Sequence, residues 1–386
     1  MVTTENQTRK IVGQNRPKMD TNYQITAIEK EIRETPYHKG TERHIGILRA
    51  RIARLRDKSE SFSSKKSGGG GGYAVKQQGD ATVVLVGPPS VGKSTLLNNL
   101  TNAQSKVAPY AFTTVTVIPG MMVYKNARIQ ILDVPGLIRG AEEGKGRGRE
   151  VLSVIRGCDL ILIMTDPNDL GAFERITKIL EKNGVRINKR RPEVSFVKKP
   201  GGGLTIHSNI KQDLTKETIK EIIQEIGLKN AEINLKENLS LERLVDAFTR
   251  NVIYVPALFI INKIDQVSKV AGANLVHPSG GIVLTPVLYQ EISAEKGNGL
   301  VELQEKIWES LNFVRVYLIR PDEEPSFNDP IIMKVGQTLY DVLEKIGSEF
   351  AEGKISAKIW GSGAKFAGQE VSLTIKVLEG MQIRFV

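Results

Sequence analysis

Residues 79–101 read GDATVVLVGPPSVGKSTLLNNLT, and this stretch decides the fold. Its first part, ATVVLV (81–86), is an unbroken apolar run of the kind carried by a strand buried on both faces. Directly behind it Gly87, Pro88, Pro89, Ser90, Val91, Gly92, Lys93 and Ser94 fit G-x-x-x-x-G-K-[ST], with Thr95 next in the helix that follows. A strand running into this loop and a helix running out of it are the context that makes the pattern a phosphate-binding loop. The two glycines let main-chain N–H groups wrap the phosphates, and the helix N-terminus adds its positive end. Lys93 reaches the β- and γ-phosphates. Ser94 offers a hydroxyl to Mg²⁺.

Downstream, ARIQILDV, CDLILIMTD and VPALFIINKID are further buried strands alternating with helical patterns. That alternation implies an α/β fold, a mostly parallel sheet with helices on both faces. Asp133-Val-Pro-Gly136 ends one of these strands, 40 residues after Lys93. Asp133 can hold a Mg²⁺-bound water, and the Gly136 N–H can meet the γ-phosphate. Thr113 and Thr114 lie between the phosphate loop and Asp133 and can supply the second protein ligand to an octahedral Mg²⁺. The expected metal set is therefore Ser94, Thr113, Thr114 and Asp133. The expected catalytic groups are Lys93, Thr114 and Gly136.

Asn262-Lys263-Ile264-Asp265 ends the strand VPALFII. A carboxylate at Asp265 can accept from guanine N1–H and N2–H₂, groups that adenine does not present, so the site favours GTP over ATP. Ser293-Ala294 fits the loop that closes over the base. One position argues against fast hydrolysis. Leu137 stands where many GTPases place a water-orienting Gln, and leucine neither donates nor accepts. A catalytic group must then come from Arg139, the Glu142/Glu143 pair, backbone, a monovalent cation or a partner, and the residues do not choose among them. The run GAEEGKGRGR (140–149) interleaves glycine with charge and reads as a mobile second switch.

The rest of the chain divides around this core. Ile25, Ile28 and Ile32, then Ile45, Leu48, Ile52 and Leu55, recur at helical spacing with TPYHKG between them, a basic helical hairpin within residues 1–66. Its apolar seam is expected to pack against its own first helix. A Gly-rich joint spans 67–80. The GTPase domain is expected at 81–312, interrupted at about 183–250 by an inserted α+β subdomain. In that insert RPEVSFVKKPGGGLTIHSN reads as a hairpin, with helical stretches near 215–226 and 239–249. After it, residues 313–386 read as a small α+β module in which EVSLTIKV is one strand.

Net charge is +11, and residues 1–66 contribute +7 of it, 15 Lys/Arg less 8 Asp/Glu. A second basic cluster is Arg186, Lys189, Arg190, Arg191, Lys198 and Lys199. Such blocks suit a polyanion such as RNA; the alternative is a solvated surface. Cys158 is the only cysteine, which excludes an internal disulfide and a multi-cysteine metal site. No apolar run reaches bilayer length, and the polar N-terminus carries no signal peptide, so a cytoplasmic location is expected.

On GGGGG (68–72), residues 79–101, YAFTTVTVIPG (110–120), residues 133–163 and NKID (262–265), the chain resembles the developmentally regulated GTP-binding protein family of the Obg group. The C-terminal module resembles a TGS domain, a ubiquitin-like β-grasp. Two histidines frequent in that domain are absent, at Gly347 and within Leu373–Leu378. Some Obg-group relatives have a potassium-holding Asn where this chain has Ser90, so K⁺ stimulation stays open. Together the residues and the resemblance imply a slow Mg²⁺-dependent GTPase that cycles between GTP and GDP as a switch in translation or RNA handling. The partner is expected to be the ribosome or a structured RNA, with a protein activator open and no membrane or DNA specificity. The competing expectation is a GTP-stabilised RNA-binding module whose hydrolysis is incidental.

Overall fold

The computed structural model describes residues 21–66, 79–101, 108–109, 116–134, 154–266 and 289–386. They form two compact units: the residues up to 66 join 190–252, and the residues of 79–189 join 253–386. The Gly-rich joint expected at 67–80 lies outside the described residues except for its last two.

In the larger unit seven strands line up in the order 289–291, 257–261, 160–165, 81–86, 127–133, 116–124, 108–109. Every pairing from 289–291 through to 127–133 is parallel, and the last two strands are antiparallel additions. The strand 81–86 shows why both faces are covered. Successive side chains alternate, so Val83 and Leu85 enter a core with Leu96, Leu97, Leu303 and Ile307. Val84 and Val86 enter another with Phe173, Ile176 and Leu180. The helices Lys93–Thr101 and Leu300–Ser310 therefore cap one face and Ala172–Lys182 the other. The chain leaves 81–86 between 127–133 and 160–165, and the crevice beyond the carboxyl ends of these strands is where such sheets bind ligands.

The C-terminal residues of this unit form a β-grasp. Five strands run in the order 330–334, 313–318, 381–385, 356–360, 369–372, and only 313–318 and 381–385 pair in parallel. The helix Leu339–Ile346 lies over the sheet and buries Leu339, Val342 and Leu343 against Val316, Ile359 and Ile383. A capping box opens it, with Thr338 and Asp341 each binding the other's main-chain N–H. The strand expected from EVSLTIKV is shorter than its sequence suggests and stops at Ser372. The carbonyls of Leu373 and Ile375 instead accept the N–H groups of Tyr340 and Leu339, which the first helical turn leaves without partners. Lys334 and Lys345 pair with Asp159 at 2.6 Å and Asp80 at 2.7 Å, at the amino ends of strands 160–165 and 81–86. The grasp thus attaches at the sheet end away from the phosphate loop.

The smaller unit corrects one expectation. Strands 194–198 and 204–208 do not pair as a hairpin: 231–235 lies between them, antiparallel to the first and parallel to the second. Ala231, Ile233 and Leu235 are all buried, so that strand takes the central place, while 194–198 is mostly exposed and serves as an edge. The expected N-terminal hairpin forms as the helices Thr21–Glu34 and Glu42–Lys66, which contact each other. No residue of the first is buried. A separate face of the second, carrying Gly46, Ala50 and Ala53 and not the apolar seam, packs on the helices Lys216–Ile226 and Leu241–Phe248, where Ala50 and Ala53 share a core with Ile219, Ile222, Ile223 and Leu244. A Cβ on Gly46 would stand 2.6 Å from Ile222 Cδ1, so the helices meet closely and a larger residue there must push that side chain aside. Arginines flank that contact, Arg43 pairing with Glu221, Arg49 with Glu242 and Arg51 with Glu225 at 3.1 Å, while Arg56 pairs with Glu29 of the first helix at 2.9 Å.

Candidate functional site

The strand 81–86 delivers the chain into the loop Gly87–Ser94 in a conformation that dictates its residues. Ser90 and Gly92 have φ of 61° and 95°, the left-handed region that glycine enters without strain. A Cβ on Gly87 would collide with the Met164 carbonyl, and one on Gly92 with the Asn262 carboxamide. Pro88 is half-buried, Pro89 exposed, and Val91 buried beneath the loop. Thr95 lies exposed on the first turn of the helix. Lys93 folds over the loop and donates to the carbonyls of Gly87 (3.1 Å) and Pro88 (2.7 Å). Burial pushes its ammonium below the ordinary lysine range, and the charge of Asp133 opposes this.

Asp133, 2% exposed, ends its strand beside the loop, and Ser94 donates its hydroxyl to Asp133 Oδ2 at 3.0 Å. The other oxygen, Oδ1, is buried with no hydrogen-bond partner among the described residues. Burial raises the carboxyl above the usual carboxylate range, while Lys93 and the Ser94 hydroxyl pull it down. A buried carboxylate oxygen without a donor calls for a cation or its water. A hydroxyl and a carboxylate are the hard oxygen donors that Mg²⁺ takes, so these two residues fit the ion. The other expected residues, Thr113, Thr114, Gly136 and Leu137, with Arg139, Glu142, Glu143 and the run 140–149, lie outside the described residues.

On the base side, Asn262 is 3% exposed and ties two loops together. It donates to the Val91 carbonyl at 2.9 Å and accepts the Ala294 N–H at 2.8 Å. Lys263, at φ 63°, donates to the Ser90 carbonyl at 2.8 Å and pairs with Asp166 at 3.5 Å. Asp265 is hydrogen-bonded by the Ser293 side chain, which, with Lys296 at 3.6 Å, holds its carboxyl below the usual range. A carboxylate kept ionised and aimed by a serine can accept two N–H groups of a planar base. The structure thus brings together the phosphate loop, Asp133, Asn262–Asp265 and Ser293–Ala294, from segments up to about 200 residues apart in sequence.

Three participants escape motif reading. Asn99 donates to the Ala294 carbonyl, so Ala294 is held at both its N–H and its carbonyl. Asp166 and Lys296 are the ion partners of Lys263 and Asp265. Lys296 had a signal, its place three residues after Ser293. Asn99 had none beyond lying on the helix that leaves the phosphate loop.

A family model described as a 50S ribosome-binding GTPase matches residues 82–199, and one for the C-terminal region of that domain matches 201–313. The chain is 41% identical to an uncharacterized GTP-binding protein of Methanocaldococcus jannaschii, over 92% of this chain and 90% of that protein. It is 38% identical to human developmentally-regulated GTP-binding protein 2, over 91% and 94% of the two chains. With Xenopus laevis developmentally-regulated GTP-binding protein 1 the identity is 39%, over 90% and 94%.

Proposed function

The chain belongs to the developmentally regulated GTP-binding protein family, and we propose that it binds GTP and GDP with Mg²⁺, hydrolyses GTP slowly and acts as a switch on ribosomes or another structured RNA. The observation that carries the nucleotide reading is the pairing of two unfinished sites across one crevice. At one, Asp133 Oδ1 lies buried beside Ser94 without a donor among the described residues. At the other, Asp265 is kept ionised beside Ser293. The first suits a metal-bound triphosphate and the second suits guanine.

In this reading Lys93 leaves the loop carbonyls to neutralise the β- and γ-phosphates, and Ser94 and Asp133 hold the Mg²⁺, which offsets phosphate charge when bound. Asp265 reads the base, and Asn262 keeps its loop in register with the phosphate loop. Thr114 and Gly136 sense the γ-phosphate, and Leu137 in place of a water-orienting side chain keeps the intrinsic rate low. The C-terminal β-grasp works as a TGS domain, and its partner is RNA or ribosome. The domain boundaries expected from sequence, 1–66, 81–312 with its insert, and 313–386, belong to the same proposal, as does a cytoplasmic location. Among the described residues no helix is long and apolar enough to cross a membrane.

Single-turnover hydrolysis of GTP, with and without purified ribosomes, tests the switch. Stimulation by ribosomes is the expected result. Ribosome binding with unchanged hydrolysis would overturn the switch and leave the nucleotide as a structural clamp. Binding of ATP as tight as that of GTP would overturn the site reading itself.

A further inference from the structure

In the smaller unit the helix Glu42–Lys66 and the part of the second basic cluster that lies there, within 190–199, meet different fates. Of the five arginines of the helix Glu42–Lys66, four are matched by the carboxylates of Glu221, Glu242, Glu225 and Glu29, and Arg54 donates to the Glu225 carbonyl. Charge held in such pairs attracts a polyanion weakly, because each paired guanidinium already has its counter-ion.

The other cluster contains charge of a different kind. Where strand 194–198 ends, Lys198, Lys199 and Pro200 lead into Gly201, Gly202 and Gly203, and Lys229 and Asn230 stand beside them. Lys199 N–H donates to the Asn230 carbonyl at 3.1 Å, and Gly203 N–H to Asn230 Oδ1 at 2.9 Å. Lys199 shares Glu232 with His207. Lys198 and Lys229 are exposed and, among the described residues, pair with no carboxylate.

The glycines add a second observation. Gly202 and Gly203 have φ of 90° and 74°, and the turn itself requires glycine there. Gly201 is different. Its φ is not in the left-handed region, and a Cβ built on it would meet nothing within 4 Å. Nothing in the chain's own fold asks for glycine at 201. A bare backbone at an exposed tip does serve one purpose: it lets an outside group approach the main chain closely.

We propose that this tip, residues 198–203 with Lys229, is a contact for the phosphate backbone of a structured RNA. The proposal rests on the RNA reading above and names its surface. Lysine ammonium groups act as point charges and accept phosphate over a range of angles, so such a tip positions an RNA without reading its sequence. No aromatic side chain of the strand is free to stack on a base, because Phe196 packs on Phe248.

The test uses the full chain, a labelled RNA stem-loop and purified ribosomes, with affinity measured across a salt series. Each phosphate contact contributes about 0.9 to the slope of log affinity on log salt, so Lys198→Ala/Lys229→Ala should lower that slope by about 2. Gly201→Ala adds a methyl group into open space. It should leave the Tm unchanged and weaken RNA binding by about threefold or more. Exposed Lys236, on the far side of strand 231–235 from the tip, supplies the control: Lys236→Ala should change neither quantity. Wild-type slopes in the double variant, with RNA bound as tightly, would overturn the proposal while the RNA reading stands. Failure of the wild-type chain to bind either probe would overturn the RNA reading itself. Loss of an acidic protein partner with RNA binding intact would reassign the tip to protein.

Discussion

Asn262 holds the Ala294 peptide to the phosphate loop, accepting its N–H at 2.8 Å while donating to the Val91 carbonyl at 2.9 Å. Both bonds are buried, so Asn262→Ala leaves a donor and an acceptor without partners, at about 1–3 kcal/mol each. The loop that carries Ser293 then loses its register with the phosphate site. Release of a fluorescent GDP should speed up by roughly 10- to 100-fold. Asn99→Ala removes the bond to the Ala294 carbonyl, in the next peptide unit, and should give a smaller acceleration, about fivefold. Release rates equal to wild type in both variants would show that the Ala294 peptide does not govern nucleotide residence.

Asp133→Asn separates the stability of the site from its use. Burial disfavours the charged form of Asp133, so the neutral amide should stabilise the nucleotide-free protein slightly, read as a higher Tm. The same change removes the anionic ligand, and the gain in GTP affinity on adding Mg²⁺ should fall at least about tenfold. Titrating GTP binding with and without EDTA checks this. A Mg²⁺ effect of wild-type size would place the metal elsewhere.

The phosphate loop, the strand-end Asp133, and the pair Asn262 and Asp265 were legible because each is a short motif whose chemistry needs those residues in that order. The parallel sheet was legible because its strands are buried on both faces and read as continuous apolar runs. What sequence could not show was which apolar face meets which. Gly46, Ala50 and Ala53 form a second contact face beside the seam of Ile45, Leu48 and Ile52, and small residues at helical spacing carry no mark of the helix about 170 residues later that they meet. Strands 194–198 and 204–208 likewise look like hairpin partners until 231–235, with three buried positions, competes for the place between them. Asn99 was illegible because a polar residue on a helix carries no mark of the distant carbonyl it serves.

The capping box of the C-terminal helix gives a pH prediction. Hydrogen bonds from the Thr338 N–H and hydroxyl hold the Asp341 carboxyl below its usual range. Its folded-state pKa is therefore lower than in the unfolded chain. The stability it contributes is present above the unfolded value near 3.8 and is lost as pH falls through the folded value. Thr338→Ala removes the reciprocal bond and should cost about 1 kcal/mol at neutral pH. It should also flatten acid destabilisation of the β-grasp. Chemical denaturation at pH 7 and pH 3 measures both, and an unchanged acid slope would deny the box its role.

The N-terminal helix is part of the core of the insert, and removing it should show this. Ala50 and Ala53 are 0% and 8% exposed, and with Gly46 they cover Ile219, Ile222, Ile223 and Leu244. Burying an aliphatic side chain of that size is worth about 1.5–3 kcal/mol, so the four covered side chains hold about 6–12 kcal/mol of burial that this helix helps to maintain. That is comparable with the whole stability of an ordinary domain, about 5–15 kcal/mol. Deleting residues 1–66 should therefore unfold the segment 190–252, seen as rapid proteolysis within it. GTP affinity should survive, since all the described site residues belong to the other unit. Gly46→Val is the milder version. It drives a branched side chain into buried Ile222, and overpacking of this kind costs about 1–3 kcal/mol. Weakened RNA binding in either variant would then reflect loss of the fold that presents Lys198 and Lys229, not loss of the arginines themselves. A truncated chain whose insert resists protease as well as wild type would show that the helix is a detachable arm after all.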